Sequence, residues 1–313
     1  MKLLLVVNAF ASGVTPRNHA LVEEALRKDH DVTVDLTTAR QHACTLAREA
    51  AGSGVDAVVV LGGDGTVNEV ANGLVGTHTA LAALPGGSTN VFARTLGFPH
   101  RPVPAVRRLV DALAARSIRR IGVGQTDSRC FLFHAGLGFD AAVVQQVEQR
   151  GGLKRWLGHG LFAYSAVTTW LSHYDRSRPR FRVHLPSGEV IPDGYFAIIE
   201  ESDPYTFFGP RPFCVAPGTE PGSGLSVVVL RDLSAATLVG AAVAALAGGR
   251  RLDGMGCVAV RPGLESVRVE GFGPFPWQVD GDYMGEVDSL EVSHRPDCLD
   301  VVVPVPPDTT TAR

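Results

Sequence analysis

The 313-residue sequence predicts an α/β fold in two parts: an N-terminal, mostly parallel α/β domain, then a β-sandwich-like, largely antiparallel domain with inserted helices. Two observations predict it. Uninterrupted apolar runs alternate with helix-period segments up to about residue 120, as parallel strands covered on both faces require. From Ile118 onward, short β-like segments recur between Gly and Pro turns. The expected domains are 1–120 and 121–303, followed by a flexible tail over 304–313.

Taken in order, Leu3–Val7 reads as a buried strand and Arg17–Lys28 as a helix packing through Ala20, Leu21, Ala25 and Leu26. Val32–Leu36 alternates like a strand, Ala39–Ser53 fits a helix, and Asp56–Leu61 is the next buried strand. Thr66–Leu74 is expected as a short helix, Thr79–Leu84 as a strand, Val91–Leu96 as a short helix ended by Gly97 and Pro99, and Val103–Ala115 as a further helix. In the second part Arg119–Gly124, Cys130–Ala135, Phe181–Leu185, Tyr195–Ile199, Leu225–Leu230, Val258–Val260, Ser266–Val269, Pro276–Asp280 and Ser289–Ser293 read as strands. Helices are expected over about Gly158–His173 and Ser234–Leu246. Leu299–Val303 is a last strand-like run that can return to the first domain.

Composition excludes several classes. A net charge of -3 gives no bulk electrostatic reason for nucleic-acid binding. The arginines Arg101, Arg107, Arg108, Arg116, Arg119 and Arg120 read first as a solvated helix face, and second as a patch for anionic headgroups. Five widely spaced cysteines without a CxxC argue against a disulfide framework or a structural zinc site, and suit a reducing cytoplasm. The apolar start is too short for a signal peptide, and no stretch reaches the roughly 20 apolar residues of a membrane span.

Two glycine loops carry the chemistry. Gly62-Gly63-Asp64-Gly65-Thr66 follows a strand and precedes a helix, where backbone N–H groups can meet a phosphate at the helix's positive end. Thr66 and Glu69 also fit a capping box, with Thr66 as N-cap, which needs no ligand. Asp64 is placed to hold Mg²⁺ on nucleotide phosphates, or to hydrogen-bond within the loop. Pro85-Gly86-Gly87-Ser88-Thr89-Asn90 follows another strand, and so falls on the same carboxyl edge of a parallel sheet. Asn8, Ser12, Gly13 and Thr38 leave their strands at that edge too. Neither loop is GxGxxG or GxxxxGK[ST].

The run from Gly62 to Val70, followed by Leu84 to Gly97, resembles the diacylglycerol kinase catalytic domain, and within it the soluble bacterial lipid kinases related to diacylglycerol, sphingosine and ceramide kinases. His134–Ala141, Ala163-Tyr164 and Val279–Asp282 extend the resemblance over residues 2–303. It implies ATP in a cleft between the domains, contacted by Asn8, Ser12, Thr38, Gly62, Gly63, Asp64, Gly65, Thr66, Asn68, Glu69 and Ser88, with Mg²⁺ on the nucleotide. It further implies a catalytic base at Asp280, with Asp282 as supporting carboxylate or as the base itself. The other expected partner is a lipid alcohol, reached by transient contact with the inner face of the membrane from the cytoplasm. A homodimer is left open.

The sequence departs from that family at three places. Val91 stands where a carboxylate is usual, which should weaken local helix capping. Asp282 replaces a glutamate. The stretch Ala216–Gly224 retains only Glu220 of the carboxylates that hold an accessory structural Mg²⁺, so that site is expected to be absent. Asp203–Gly209 also differs from the family form, leaving the acceptor open. His134 and His159 are read as structural, and Trp156, Tyr164 and Trp170 as packing residues. Phe207, Phe208, Phe272, Phe275 and Trp277 suit either core or an acyl pocket. Two alternatives compete with a lipid kinase: an NAD kinase, which shares GGDG, and a regulator that binds lipid or nucleotide without turnover.

Overall fold

A computed structural model describes residues 1–149, 168–170 and 174–306. The expected helix over Gly158–His173 lies almost wholly outside them, as do Trp156, His159, Tyr164 and the end of the tail. The chain divides into two compact units, 1–121 with 297–313, and 122–296.

In the first unit the elements are β1 (Lys2–Val7), α1 (Pro16–Arg27), β2 (Asp31–Leu36), α2 (His42–Gly52), β3 (Ala57–Gly62), α3 (Asp64–Leu74), β4 (Ala80–Pro85), α4 (Val91–Thr95) and α5 (Pro102–Ala114). β1 pairs in parallel with β2 and β3, and β3 with β4. β3 and β4 are buried along their whole length, which is why they carry only apolar residues and glycine or proline ends. β2, at the sheet edge, is largely exposed. α1 starts where Pro16 presets the first turn and the Thr15 hydroxyl accepts the Asn18 amide at 3.1 Å. α2 and α3 pack closely enough that a Cβ on Gly73 would lie 2.5 Å from the Cys44 carbonyl oxygen. Glycine at 73 is therefore a packing requirement.

The second unit is built of β5 (Ile118–Gln125, which begins in the first unit), β6 (Cys130–Phe131), β7 (His134–Gly138), α6 (Phe139–Gln149), β8 (Phe181–His184), β9 (Val190–Gly194), β10 (Phe196–Glu200), β11 (Thr206–Phe208), β12 (Arg211–Phe213), β13 (Leu225–Leu230), α7 (Ala235–Leu246), β14 (Val258–Leu264), β15 (Ser266–Val279) and β16 (Asp282–Val302). Its main sheet runs β14-β13-β10-β7-β15-β16, with antiparallel pairing between successive strands, and β11 and β12 form a separate hairpin. The largest core of this unit joins Phe131, Phe181, Ile199, Val227, Phe275 and Trp277. Phe275 and Trp277 are thus core residues, whereas Phe272 is 45% exposed.

Several of the expected strand boundaries differ in the structure. Cys130–Ala135 is broken into β6 and β7, because the Leu132, Phe133 and His134 amides turn to a carboxylate described below. Ser266–Val269 and Pro276–Asp280 belong to one long strand, β15. The end of β16 belongs to the first unit: Val301 pairs in parallel with Leu81 of β4, and the Gly76 amide donates to the Cys298 carbonyl at 2.7 Å. Arg120 secures this return through Asp300 at 2.9 Å and the Asp297 carbonyl at 2.7 Å. It is therefore tied into the fold, unlike the exposed Arg101, Arg107, Arg108, Arg116 and Arg119.

Candidate active site

In the first unit, three strand-end loops meet backbone to backbone. The Gly13 amide donates to the Gly86 carbonyl at 2.8 Å, and the Gly86 amide to the Gly62 carbonyl at 2.7 Å. A Cβ on Gly86 would stand 2.7 Å from the Gly62 nitrogen, and one on Gly87 would stand 2.8 Å from the Gly63 Cα. None of Gly62, Gly63, Gly65, Gly86 and Gly87 has a positive φ. These glycines are required by close approach of two loops, not by a left-handed turn.

That contact sets the start of α3. The helix begins at Asp64 with Gly63 as N-cap, two residues earlier than the sequence suggests, and no side chain caps it. The first amides of α3 are therefore left without a capping acceptor, at the positive end of the helix dipole. The capping-box reading is corrected. Thr66 lies inside the helix, and its hydroxyl accepts from Asn8 Nδ2 at 2.9 Å. Glu69 reaches α2 instead, where its Oε2 accepts the Ala43 amide at 3.2 Å.

Asp64 has backbone partners at the start of α4. Its Oδ1 accepts the Phe92 amide at 3.2 Å, and its carboxyl also faces the amides of Val91 and Asn90. Burial raises its pKa, and those amides and Arg94 oppose the rise. Asp64 thus caps α4, and supplies the capping that Val91 was expected to weaken. Asn90 holds the second loop, with its Oδ1 on the Gly87 amide at 2.7 Å and its Nδ2 on the Gly87 carbonyl at 2.9 Å. Among the other expected nucleotide contacts, Ser12, Thr38 and Ser88 are exposed, and Asn8 is half-buried. Asn68 is fully buried, with Asn72 Nδ2 on its Oδ1 at 2.9 Å. The Thr38 amide donates to His42 Nδ1 at 3.1 Å.

The Asp280-Gly281-Asp282 turn belongs to the second unit. Asp280 and Gly281 both have positive φ, 46° and 84°, and Val279 pairs with Asp282 across them. This is a two-residue hairpin in the left-handed conformation that Asp-Gly favours. The Asp280 carboxylate is 6% exposed and accepts three backbone amides: Leu132 at 2.9 Å, and Phe133 and His134 at 3.1 Å each. Its own amide donates to the His134 carbonyl at 2.9 Å. Both oxygens are already engaged as acceptors, so the surroundings are those of a structural anchor. Asp282 differs: its side chain is 27% exposed and pairs with Arg129 Nη1 at 3.0 Å.

A buried network braces that turn from behind. Gln278 accepts the Gly281 amide at 2.8 Å and donates to Asp140 Oδ2 at 2.7 Å, while the Tyr205 hydroxyl donates to Asp140 Oδ1 at 2.5 Å. Burial raises the Asp140 pKa, and the Tyr205 and Gln278 hydrogen bonds oppose it. Gly136 is required here, since a Cβ would sit 1.7 Å from Asp140 Oδ2. Sequence reasoning missed Arg129, Tyr205 and Gln278 as partners; 153 residues separate Arg129 from Asp282 and 65 separate Tyr205 from Asp140.

Of the family's accessory metal stretch, Glu220 is exposed, and its amide donates to the Ser223 hydroxyl at 3.1 Å. No cluster of three or more metal-ligating side chains occurs among the described residues. The Asp64 carboxyl faces the α4 amides, and Glu220 is the one carboxylate in its stretch.

A parallel sheet with glycine loops at the carboxyl ends of its strands defines an α/β protein of the kind that binds ligands at that edge. Residues 2–126 match the diacylglycerol kinase catalytic domain. A protein named "Probable lipid kinase YegS-like" from Chromohalobacter salexigens is 32% identical over 189 residues, covering 59% of this chain and 58% of its own. The diacylglycerol kinase of Bacillus subtilis is 34% identical over 131 residues, covering 41% and 42%. The chain spans about half the length of these two relatives. The crystal structure of a diacylglycerol kinase from Bacillus anthracis matches the fold with a TM-score of 0.69 at 18% identity, over 96% of each chain.

Proposed function

We propose that this chain transfers the γ-phosphate of ATP to the hydroxyl of a lipid alcohol, with diacylglycerol, a sphingoid base or ceramide as the acceptor class. The observation that carries the reading is the uncapped N-terminus of α3, backed by the Gly86-Gly87 loop, inside the segment that matches the kinase family. Uncapped amides at a helix's positive end suit phosphate oxygens. In this reading the Gly63–Thr66 amides and the exposed Ser88 hydroxyl receive the phosphates, with Asn8, Ser12 and Thr38 lining the same edge. Thr66, Asn68, Glu69 and Asp64 hold the loops in shape.

Of the two late carboxylates we assign the base to Asp282 and the anchor to Asp280. A base must reach the hydroxyl proton, and the Asp282 carboxylate is the one with solvent access. Arg129 orients it. Reaction at an alcohol of a membrane lipid requires visits to the bilayer from the cytoplasmic side, and among the described residues no helix is long and apolar enough to cross it.

The test is transfer of radiolabel from ATP to mixed micelles containing diacylglycerol, sphingosine or ceramide, with NAD alongside and Asp282→Asn as control. Label in one lipid, lost in the control, supports the reading and names the acceptor. Label in NAD alone replaces it with an NAD kinase. ATP binding without label in any acceptor replaces it with a non-catalytic binder.

A further inference from the structure

α7 carries no charged residue along its length, yet its outward face is apolar. Thr237, Ala244 and Ala245 are buried against the second unit, while Val239, Val243 and Leu246 on the opposite side are 63%, 60% and 47% exposed. Those three positions follow the i, i+4, i+7 spacing of one helical stripe. A helix in water normally turns charged or polar groups outward, so this face is built for an apolar surrounding.

The frame at its carboxyl end is mainly basic, three arginines against the exposed Asp253. Two glycines after the helix with positive φ, Gly248 and Gly249, turn the chain into Arg250 and Arg251, both exposed and in no ion pair among the described residues. The β11–β12 hairpin packs beside the last turns of α7, with the Cys214 amide on the Ala245 carbonyl at 3.1 Å. It adds Arg211, likewise exposed and outside any ion pair among the described residues. An apolar stripe framed by arginines complements acyl chains beneath anionic headgroups. A stable protein interface buries about 800 Å² on each partner, far more than three aliphatic side chains present.

We propose that α7 is the docking face by which this protein sits on an anionic phospholipid surface, with Val239, Val243 and Leu246 entering the interface and Arg250 and Arg251 held at the headgroups. The inference rests on the reading that the acceptor is a lipid, and names the surface that brings the chain to it.

The test uses the full chain and sedimentation with phosphatidylcholine vesicles, with and without phosphatidylglycerol. The wild type is expected to sediment with the phosphatidylglycerol vesicles, and V239E/V243E to lose more than about tenfold of that partition. R250A/R251A is expected to lose about tenfold, on phosphatidylglycerol vesicles only. A thermal melt matching the wild type shows that the variants fold. As a second probe, V243W should blue-shift its emission on vesicle addition and be quenched by brominated lipid, beyond the wild-type signal. Undiminished partition of V239E/V243E, or an unshifted V243W, overturns the proposal. So does a wild-type dimer that dissociates in V239E/V243E while vesicle binding persists, since the face then belongs to a second copy. Vesicle binding through α7 in a chain that labels no lipid keeps the docking face and removes the kinase reading. Phosphate transfer with V239E/V243E unable to bind vesicles, measured on a water-soluble short-chain acceptor, keeps the kinase reading and is the expected result.

Discussion

The glycine loops of the first unit and the Asp-Gly-Asp turn of the second are positioned by opposite means. In the first, backbone meets backbone, and glycines are present because any Cβ would push the loops apart. In the second, carboxylates and an amide side chain reach across the fold to satisfy buried backbone groups. A loop made by close approach fails when an atom is added. A turn made by buried hydrogen bonds fails when an atom is taken away.

The largest effect that can break this comparison lies at Asp280. Asp280→Ala leaves three buried amides without an acceptor and should cost at least about 3 kcal/mol, read as a fall in denaturant midpoint. Asp282→Asn removes an ion pair with partial solvent access and should stay within about 1 kcal/mol of wild type. Its phosphate transfer should nevertheless fall about 100-fold or more, as loss of a general base requires. Equal stability of the two variants would deny the anchor role.

Adding an atom tests the other side. Gly86→Ala should cost about 1–3 kcal/mol by overpacking. It should also abolish the rise in thermal midpoint that ATP gives the wild type, since a splayed loop no longer presents the α3 amides. Stability and ATP response unchanged from wild type would mean that the loops need not touch.

A smaller effect is set by pH. Burial pushes the His134 imidazole down to about 3, so the folded state keeps it neutral while the unfolded chain protonates near 6.5. Its contribution is therefore complete above about pH 6.5 and is lost as pH falls from there toward 3. Its neighbours are the Tyr205 ring at 4.3 Å and, directly across β7 and β10, Glu200. Burial raises the Glu200 pKa well above 4.5, and this works with the opposite sign, lowering stability as pH rises above that value. His134→Phe should shift the acid-unfolding midpoint to lower pH relative to wild type, by circular dichroism. The smallest effect is at Thr66→Val, which removes the Asn8 hydrogen bond from the loop cluster at a cost of about 1 kcal/mol.

The same contrast explains what was legible. The parallel sheet was readable because β1, β3 and β4 are short continuous apolar runs, and the loops because their glycines are adjacent in the chain. The start of α3 was misread because Thr66 and Glu69 have capping chemistry. Tertiary partners, Asn8 and the Ala43 amide, took those side chains instead. The Phe92 amide that meets the Asp64 carboxyl was not readable either, since it lies 28 residues away in the chain. The Asp280-Gly281 pair is itself a hairpin signal, but the three amides its carboxylate accepts lie 146 to 148 residues earlier, around the break between β6 and β7.

The parallel pairing of Val301 with Leu81 has a consequence for synthesis. A ribosome has delivered all of 122–296 before it delivers the strand that covers β4. The usual order, in which the N-terminal domain matures first, is therefore reversed at its last step. Until residue 302 emerges, β4 presents an open strand edge of the kind that invites pairing with another chain. A nascent or prematurely ended polypeptide thus carries an aggregation hazard that the finished protein has closed.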